Sequence, residues 1–330
     1  MLRLPRFDMV SPTTVDGVVA ALQTPGARLV AGGTDILPNL KHRLDRPPVL
    51  VDLGRVAALR TIAIDGDALQ IGAGMTLTEV SEHPLVREHF PSLSYAAGIV
   101  ASPLIRNMGT IGGNVNLDTR CRYVNQTDFW RSAIGGCLKS EGDVCHVVPG
   151  GKLCVAAMSS DCVPVLISLD ATIVQVGPNG RRELPMAKFY TADGTQHTAR
   201  EDGEVTTALR VPLPEGPRRS TYSKWSVRGS IDFPLVSVAL RFDLARDAVS
   251  SVVQDVVAVV GVLGSRPRVV TRLDDAVGLE LSDPRFATAV AARVHAQCKP
   301  LENVPYEAPY RRQMLRVHTR RAIEALVDAG

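Results

Sequence analysis

Four of the chain's six cysteines, Cys121, Cys137, Cys145 and Cys154, fall in one polar stretch, DTRCRYVNQTDFWRSAIGGCLKSEGDVCHVVPGGKLC, which carries few aliphatic residues. A segment so poor in apolar side chains cannot offset its own ordering entropy by burial. Thiolates converging on a metal centre organise such a loop, and Gly135, Gly136, Gly142, Gly150 and Gly151 give the backbone freedom to wrap around it. Disulfides are the less favoured reading. The start, MLRLPRFDMVSPTT, has no signal-peptide core, and no apolar run reaches the roughly 18 residues of a membrane span. We therefore read a cytoplasmic chain with no membrane segment, in whose reducing compartment clustered cysteines serve as metal ligands or redox groups. The spacing C-x15-C-x7-C-x8-C matches neither a ferredoxin run nor the paired C-x2-C of zinc sites, so spacing leaves iron–sulfur and zinc both open.

The remaining cysteines read as ordinary residues. Cys162 begins an apolar strand, CVPVLISL, and packs there; Cys298 sits in a helical, exposed stretch. His146 reads as a surface histidine beside Cys145, with ligation as the alternative. Tyr123, Phe129 and Trp130 read as a small apolar seat for a loop without secondary structure of its own.

With 330 residues, 45% of them hydrophobic, the chain can fill two or three modest cores. A net charge of +3, with Lys and Arg scattered, provides no basic face for nucleic acid. The pattern along the chain is α+β in three parts. Thr13 or Thr14 caps a helix through VDGVVAAL, and RLV, ILPNLKHRL and PVLVDL complete a small β-α-β-like unit. LRTIAIDGDALQIGAG reads as a hairpin, and Thr76 with Glu79 as a capping box. SLSYAAGIVA is helical, and VPVLISLDATIVQVGPNGRREL alternates as strands. A composition shift at residues 211–220 marks a boundary, followed by β-branched strands in SVALRFDLARDAVSSVVQDVVAVVGVL and two helices, DPRFATAVAARVHAQ and YEAPYRRQMLRVHTRRAIEALV.

Two glycine turns, AGGTDILP at 31–38 and TIGGN at 110–114, each follow apolar sequence. Adjacent glycines let backbone amides crowd an anion, forming a nest suited to a pyrophosphate. Neither turn is a G-x-G-x-x-G or a P-loop, and each alone is also what a plain tight turn looks like.

The motifs AGGTDILPNL, LQIGAGMTLTEV, IRNMGTIGGNV and YSKWSVRGSIDFPLVSVAL, in this order, resemble the FAD-binding medium subunits of the xanthine dehydrogenase, or molybdenum hydroxylase, family over essentially the whole chain. The resemblance implies a two-part FAD-binding domain of the PCMH type, at 1–58 and 59–215, followed by a C-terminal antiparallel sheet with a helical bundle at 216–330. It implies flavin contacts from Gly32, Gly33, Thr34, Asp35, Ile36, Leu37, Thr110, Gly112, Gly113 and Asn114, with Asp118 near the nucleotide and Lys224 near the flavin. Arg228 and Asp232 match interdomain supports, or form an ordinary surface ion pair.

Most of the family runs from TIGGN almost directly into the segment that here reads SSDCVPVLISLDA, so residues 118–158 look inserted. The pattern DTRC, NQ, FWR, CLK, GD and CHV is similar to the branch of medium subunits of 4-hydroxybenzoyl-CoA reductase, which implies that Cys121, Cys137, Cys145 and Cys154 hold a [4Fe–4S] cluster. The implied partners are a large subunit with molybdopterin cytosine dinucleotide, a small subunit with two [2Fe–2S] clusters, and ferredoxin as electron donor, in a dimer of heterotrimers. No residues for substrate chemistry are visible in this chain. Two alternatives stand beside this reading: the flavin subunit of an oxidising molybdenum hydroxylase that passes electrons outward to NAD or a protein acceptor, and a zinc-stabilised interaction module without flavin.

Overall fold

The structure, a computed structural model, describes residues 3–245 and 251–328. Its first part is a parallel sheet in the order β1-β3-β2, from β1 (Asp8–Val10), β2 (Arg28–Val30) and β3 (Val49–Asp52). Helix α1 (Val15–Ala21) begins where the Thr14 hydroxyl accepts from the Gly17 amide at 3.1 Å, and α2 (Ile36–Lys41) joins β2 to β3 as the β-α-β pattern anticipates.

The second part is an antiparallel sheet in the order β4-β5-β8-β6-β7. Strands β4 (Ile62–Asp65) and β5 (Ala68–Gly72) form the expected hairpin, turning at Gly66 with φ +63°. Strands β6 (Thr172–Gly177) and β7 (Gly180–Pro185) form a second hairpin, and β8 (Val205–Pro212) returns to lie between β5 and β6. Five short helices follow β5: α3 (Leu77–Glu82), α4 (Pro84–His89), α5 (Pro91–Gly98), α6 (Pro103–Arg106) and α7 (Ile111–Val115). Next come α8 (Asp128–Ala133) and α9 (Cys162–Ser168), while α10 (Met186–Phe189) connects β7 to β8.

The third part is an antiparallel sheet, β12-β11-β10-β9, from β9 (Arg218–Trp225), β10 (Val236–Leu244), β11 (Val253–Gly261) and β12 (Arg268–Val269). Helices α11 (Pro284–Gln297) and α12 (Ala308–Asp328) cover one face of it. Strand β10 is buried on both sides from Val236 to Phe242 because both are covered. Val236, Val238, Leu240 and Phe242 pack with Phe286, Val290 and Leu315, whereas Ala239 on the opposite face shares a core with Val163 and Val165 of α9. One hydrophobic core therefore runs from the middle sheet through α9 into the third.

Three sequence expectations are corrected. CVPVLISL is a helix rather than a strand, with every residue from Cys162 to Ser168 buried; a short run of apolar residues carries no periodicity to separate the two. Cys298 is fully buried at the end of α11 rather than exposed, and burial pushes its thiol up to about 12. The cysteine-rich insertion has a helix of its own, α8, whose first turn is capped by the Thr127 hydroxyl. In the segment read as β-branched strands, residues 246–250 lie outside the described residues.

Candidate functional site

The two glycine turns meet. A Cβ on Gly32 would lie 1.8 Å from the Met108 carbonyl oxygen, so only glycine lets the first turn sit against residues 108–109. Gly33 has φ +71°, and among the described residues the amides of Gly32, Gly33, Thr34 and Asp35 donate to no protein acceptor. That is an amide nest open to an anion. Ile36 and Leu37 turn the other way and pack beside Val30, Leu40 and Leu50.

Most amides of the second turn are already engaged. Ile111 N donates to Met75 O at 2.8 Å, Gly112 N to Ala73 O at 2.9 Å, and Gly113 N to the Thr110 hydroxyl at 3.0 Å. A Cβ on Gly112 would meet Ala73 O at 2.6 Å, so this glycine serves close backbone approach. Asn114, buried, accepts from Ser160 Oγ at 2.6 Å. Asp161 follows and is itself buried; it accepts from Tyr222 Oη at 2.8 Å and from Lys224 Nζ at 3.2 Å. Burial pushes the Asp161 carboxyl up, and the Lys224 ammonium opposes that rise. Lys224 therefore reaches the second turn through Asp161 and Ser160. Lys224 also donates to Asp232 O at 3.0 Å, while Arg228 pairs locally with Asp232 at 3.8 Å. The loop around them reaches the second part by Ile231 N donating to Ala101 O at 2.9 Å.

Arg120 links the two sites. Its guanidinium pairs with Asp35 of the first turn and lies 4.5 Å from the ring centre of Phe233, one residue before Cys121. Burial lowers this guanidinium to about 10. The sequence reading assigned no role to Arg120, Ser160 or Asp161. The available signal was weak: a charged residue next to a cysteine, and a polar triplet, Ser159-Ser160-Asp161, opening an apolar run.

Cys121, Cys137, Cys145 and Cys154 line one cavity, with Tyr123, Lys139 and His146 among its other walls. Cys121, Cys137 and Cys154 are buried and Cys145 is partly exposed. Burial pushes Cys121 up to about 11, with the Tyr123 amide opposing and Cys154 and Cys137 adding to the rise. Val148 N donates to Cys145 Sγ at 3.4 Å. Among the described residues, no group of three or more His, Cys, Asp or Glu is arranged to hold a metal ion. His146 Nε2 lies 2.7 Å from Gly136 O, and its ring stacks near Tyr123 at 5.1 Å between centres. Of the expected aromatic seat, Tyr123 packs on the cysteines, but Phe129 is 85% exposed because α8 turns it outward.

The insertion is anchored on the first part. Buried Arg131 donates to His42 O, Arg43 O and Gln126 O, tying α8 to the end of α2. Asp118 accepts from Lys139 Nζ at 2.5 Å and faces His197 at 3.6 Å.

Residues 5–214 match the model of the FAD binding domain in molybdopterin dehydrogenase, and residues 221–326 that of the CO dehydrogenase flavoprotein C-terminal domain. The chain belongs to this family of FAD-binding medium subunits. It is thus a flavoprotein subunit of the oxidoreductases that include xanthine and CO dehydrogenases. The chain is 34% identical over 236 residues to the aldehyde oxidoreductase FAD-binding subunit PaoB of Escherichia coli, spanning 69% of this chain and 74% of that one. It is 28% identical over 323 residues to the carbon monoxide dehydrogenase medium chain of Hydrogenophaga pseudoflava, covering 97% of each. The solved carbon monoxide dehydrogenase from the same organism superposes with a TM-score of 0.79 at 25% identity over 98% of both chains. For a medium subunit of this family, the open amides of residues 32–35 fit the anionic part of FAD. Among the described residues, no helix is long and apolar enough to cross a membrane.

Proposed function

We propose that this medium subunit relays electrons through two groups, FAD at the 31–37 and 110–114 turns and a [4Fe–4S] cluster on Cys121, Cys137, Cys145 and Cys154. The observation that carries the proposal is the convergence of those four cysteines on one cavity whose neighbouring Arg120 pairs with Asp35 of the flavin turn. The resemblance of the insertion to the cluster-bearing branch favours a polynuclear centre over zinc, a choice that the spacing C-x15-C-x7-C-x8-C leaves open. When bound, the flavin exchanges electrons singly or in pairs and the cluster exchanges them singly, which joins one-electron to two-electron partners. The chain's own residues hold these groups: the amide nest and Asn114 the flavin, with Lys224 supporting through Asp161, and the insertion the cluster.

In this reading the molybdenum active site, with molybdopterin cytosine dinucleotide, lies on a large partner subunit and two [2Fe–2S] clusters lie on a small one, in a cytoplasmic dimer of heterotrimers. The resemblance of the insertion supports inward flow from ferredoxin to the reductive removal of the phenolic hydroxyl of 4-hydroxybenzoyl-CoA. A second reading, outward flow from an oxidised substrate to NAD or a protein acceptor, is favoured by the relatives: the chain is 34% identical to a subunit of an aldehyde oxidoreductase and 28% identical to one of carbon monoxide dehydrogenase.

Iron, acid-labile sulfide and FAD measured on the anaerobically purified complex, with an electron paramagnetic resonance spectrum after dithionite, test the relay. About four iron per FAD assigned to this chain and a reduced-cluster signal, both lost in Cys137→Ser, are the expected result. Zinc or no metal in the loop would sink the cluster. Turnover with an aldehyde and an electron acceptor, against turnover with reduced ferredoxin and 4-hydroxybenzoyl-CoA, then decides the direction.

A further inference from the structure

Lys139 lies two residues beyond Cys137 and lines the same cavity as the four cysteines. Its ammonium has three protons, and each has an acceptor: Asp118 Oδ1 at 2.5 Å, Thr119 Oγ1 at 2.6 Å and Gly194 O at 2.7 Å. With only 12% of the side chain exposed and every donor used, the charge is held in place. The socket also abuts one wall of the cysteine cavity, Cys154. Gly194 packs so closely on Cys154 that a Cβ there would lie 2.9 Å from Sγ, Gly194 N donates to Cys154 O at 2.8 Å, and Asp193 Oδ1 accepts from Cys154 N at 3.1 Å. Burial pushes the Cys154 thiol up, and the Ala156 amide and then the Lys139 charge oppose that rise. Asp118 holds the far end of the pair, 40% exposed, with the Thr119 amide donating to it at 2.8 Å and His197 beyond at 3.6 Å.

We infer that Lys139 and Asp118 form a fixed charge pair, positive end toward the four-cysteine centre, which sets the reduction potential of that centre. The inference rests on the cluster reading above, and it moves Asp118 from the nucleotide to the cluster. One-electron reduction adds one negative charge to the cluster and leaves its four thiolate ligands in place. Lys139 stabilises that added charge, and the carboxylate of Asp118 partly cancels the effect. Lys139, nearly buried, is weakly screened and acts on the potential directly, whereas the more exposed Asp118 is screened further and acts less. Both are positioning residues, since neither ligates the centre.

The test is a dithionite titration through redox mediators of the purified complex, following the reduced cluster by electron paramagnetic resonance. Lys139→Met shifts the cluster potential negative, because a cation is lost and Asp118 is left uncompensated. Asp118→Asn shifts it positive. Opposite signs separate this role from general loosening of the loop, which would move both variants the same way. Unchanged potentials, or shifts of one sign in both, overturn the inference. If Lys139→Met loses its iron, Lys139→Arg and Asp118→Asn carry the test: a near wild-type potential in the first and a raised one in the second support it, and any other pair overturns it. A wild-type complex without loop iron is a different failure, which removes the cluster reading itself.

Discussion

Gly32 shows how much one missing Cβ decides. The nearest obstacle is the Met108 backbone, which a side-chain rotation cannot relieve, so Gly32→Ala must separate the two turns. We expect Gly32→Ala to lose most of its flavin and about 1–3 kcal/mol of stability, the usual cost of forcing atoms into a packed site. The ratio of flavin absorbance to protein, with a denaturant midpoint, checks both; full flavin occupancy would show that the turns do not need this contact. The glycine pair was visible in the sequence as a nest, but which backbone it pressed against was not. Arg120 was wholly illegible: its partner Asp35 is far away in sequence, and the pairing exists only because the insertion folds back onto the first turn.

Among the elements, α3 was readable to the residue. The Thr76 hydroxyl accepts from Glu79 N at 3.2 Å, Glu79 accepts from Thr76 N at 2.7 Å, and Arg60 pairs with Glu79 at 2.6 Å. Burial raises the Glu79 pKa, but the Thr76 bonds and Arg60 outweigh it and hold the carboxyl below its ordinary value. A depressed folded-state pKa means that this contribution to stability is fully present above the ordinary carboxylate range and is lost as pH falls through the folded value. Glu79→Gln should therefore be less stable near neutrality and lose less stability on acidification than wild type, as read by denaturation midpoints between about pH 7 and pH 3. Parallel pH profiles would discount the capping box. Helix α9 went the other way. Six of its seven residues are apolar and all seven are buried, so neither a period of 3.6 nor one of 2 marks them, and only the packing against β10 and β11 makes the segment a helix.

At the scale of the molecule, the buried Asp161–Lys224 pair joins the start of α9 to β9 across the seam between the two family-matched regions. Removing one partner leaves a charge without compensation in a dry site. Lys224→Met should cost about 3–5 kcal/mol, and the double variant Asp161→Asn with Lys224→Met clearly less, because the stranded charge is gone. Equal losses in the two would mean that Lys224 contributes by packing alone. Buried Arg311 of α12 makes a similar tie within the third part, donating to Leu235 O, Leu301 O and Val262 O. The sequence by itself determined the α+β order, the hairpins, the capped helices and the clustering of four thiols, since each rests on neighbouring residues and local backbone preference. Tertiary structure alone decided that α9 is helical, that Cys298 is buried, that Asp118 turns to Lys139, and that Arg120 bridges the loop and the first glycine turn. Those outcomes depend on which distant surfaces cover a residue, and burial or charge pairing across a fold leaves no periodic trace along the chain.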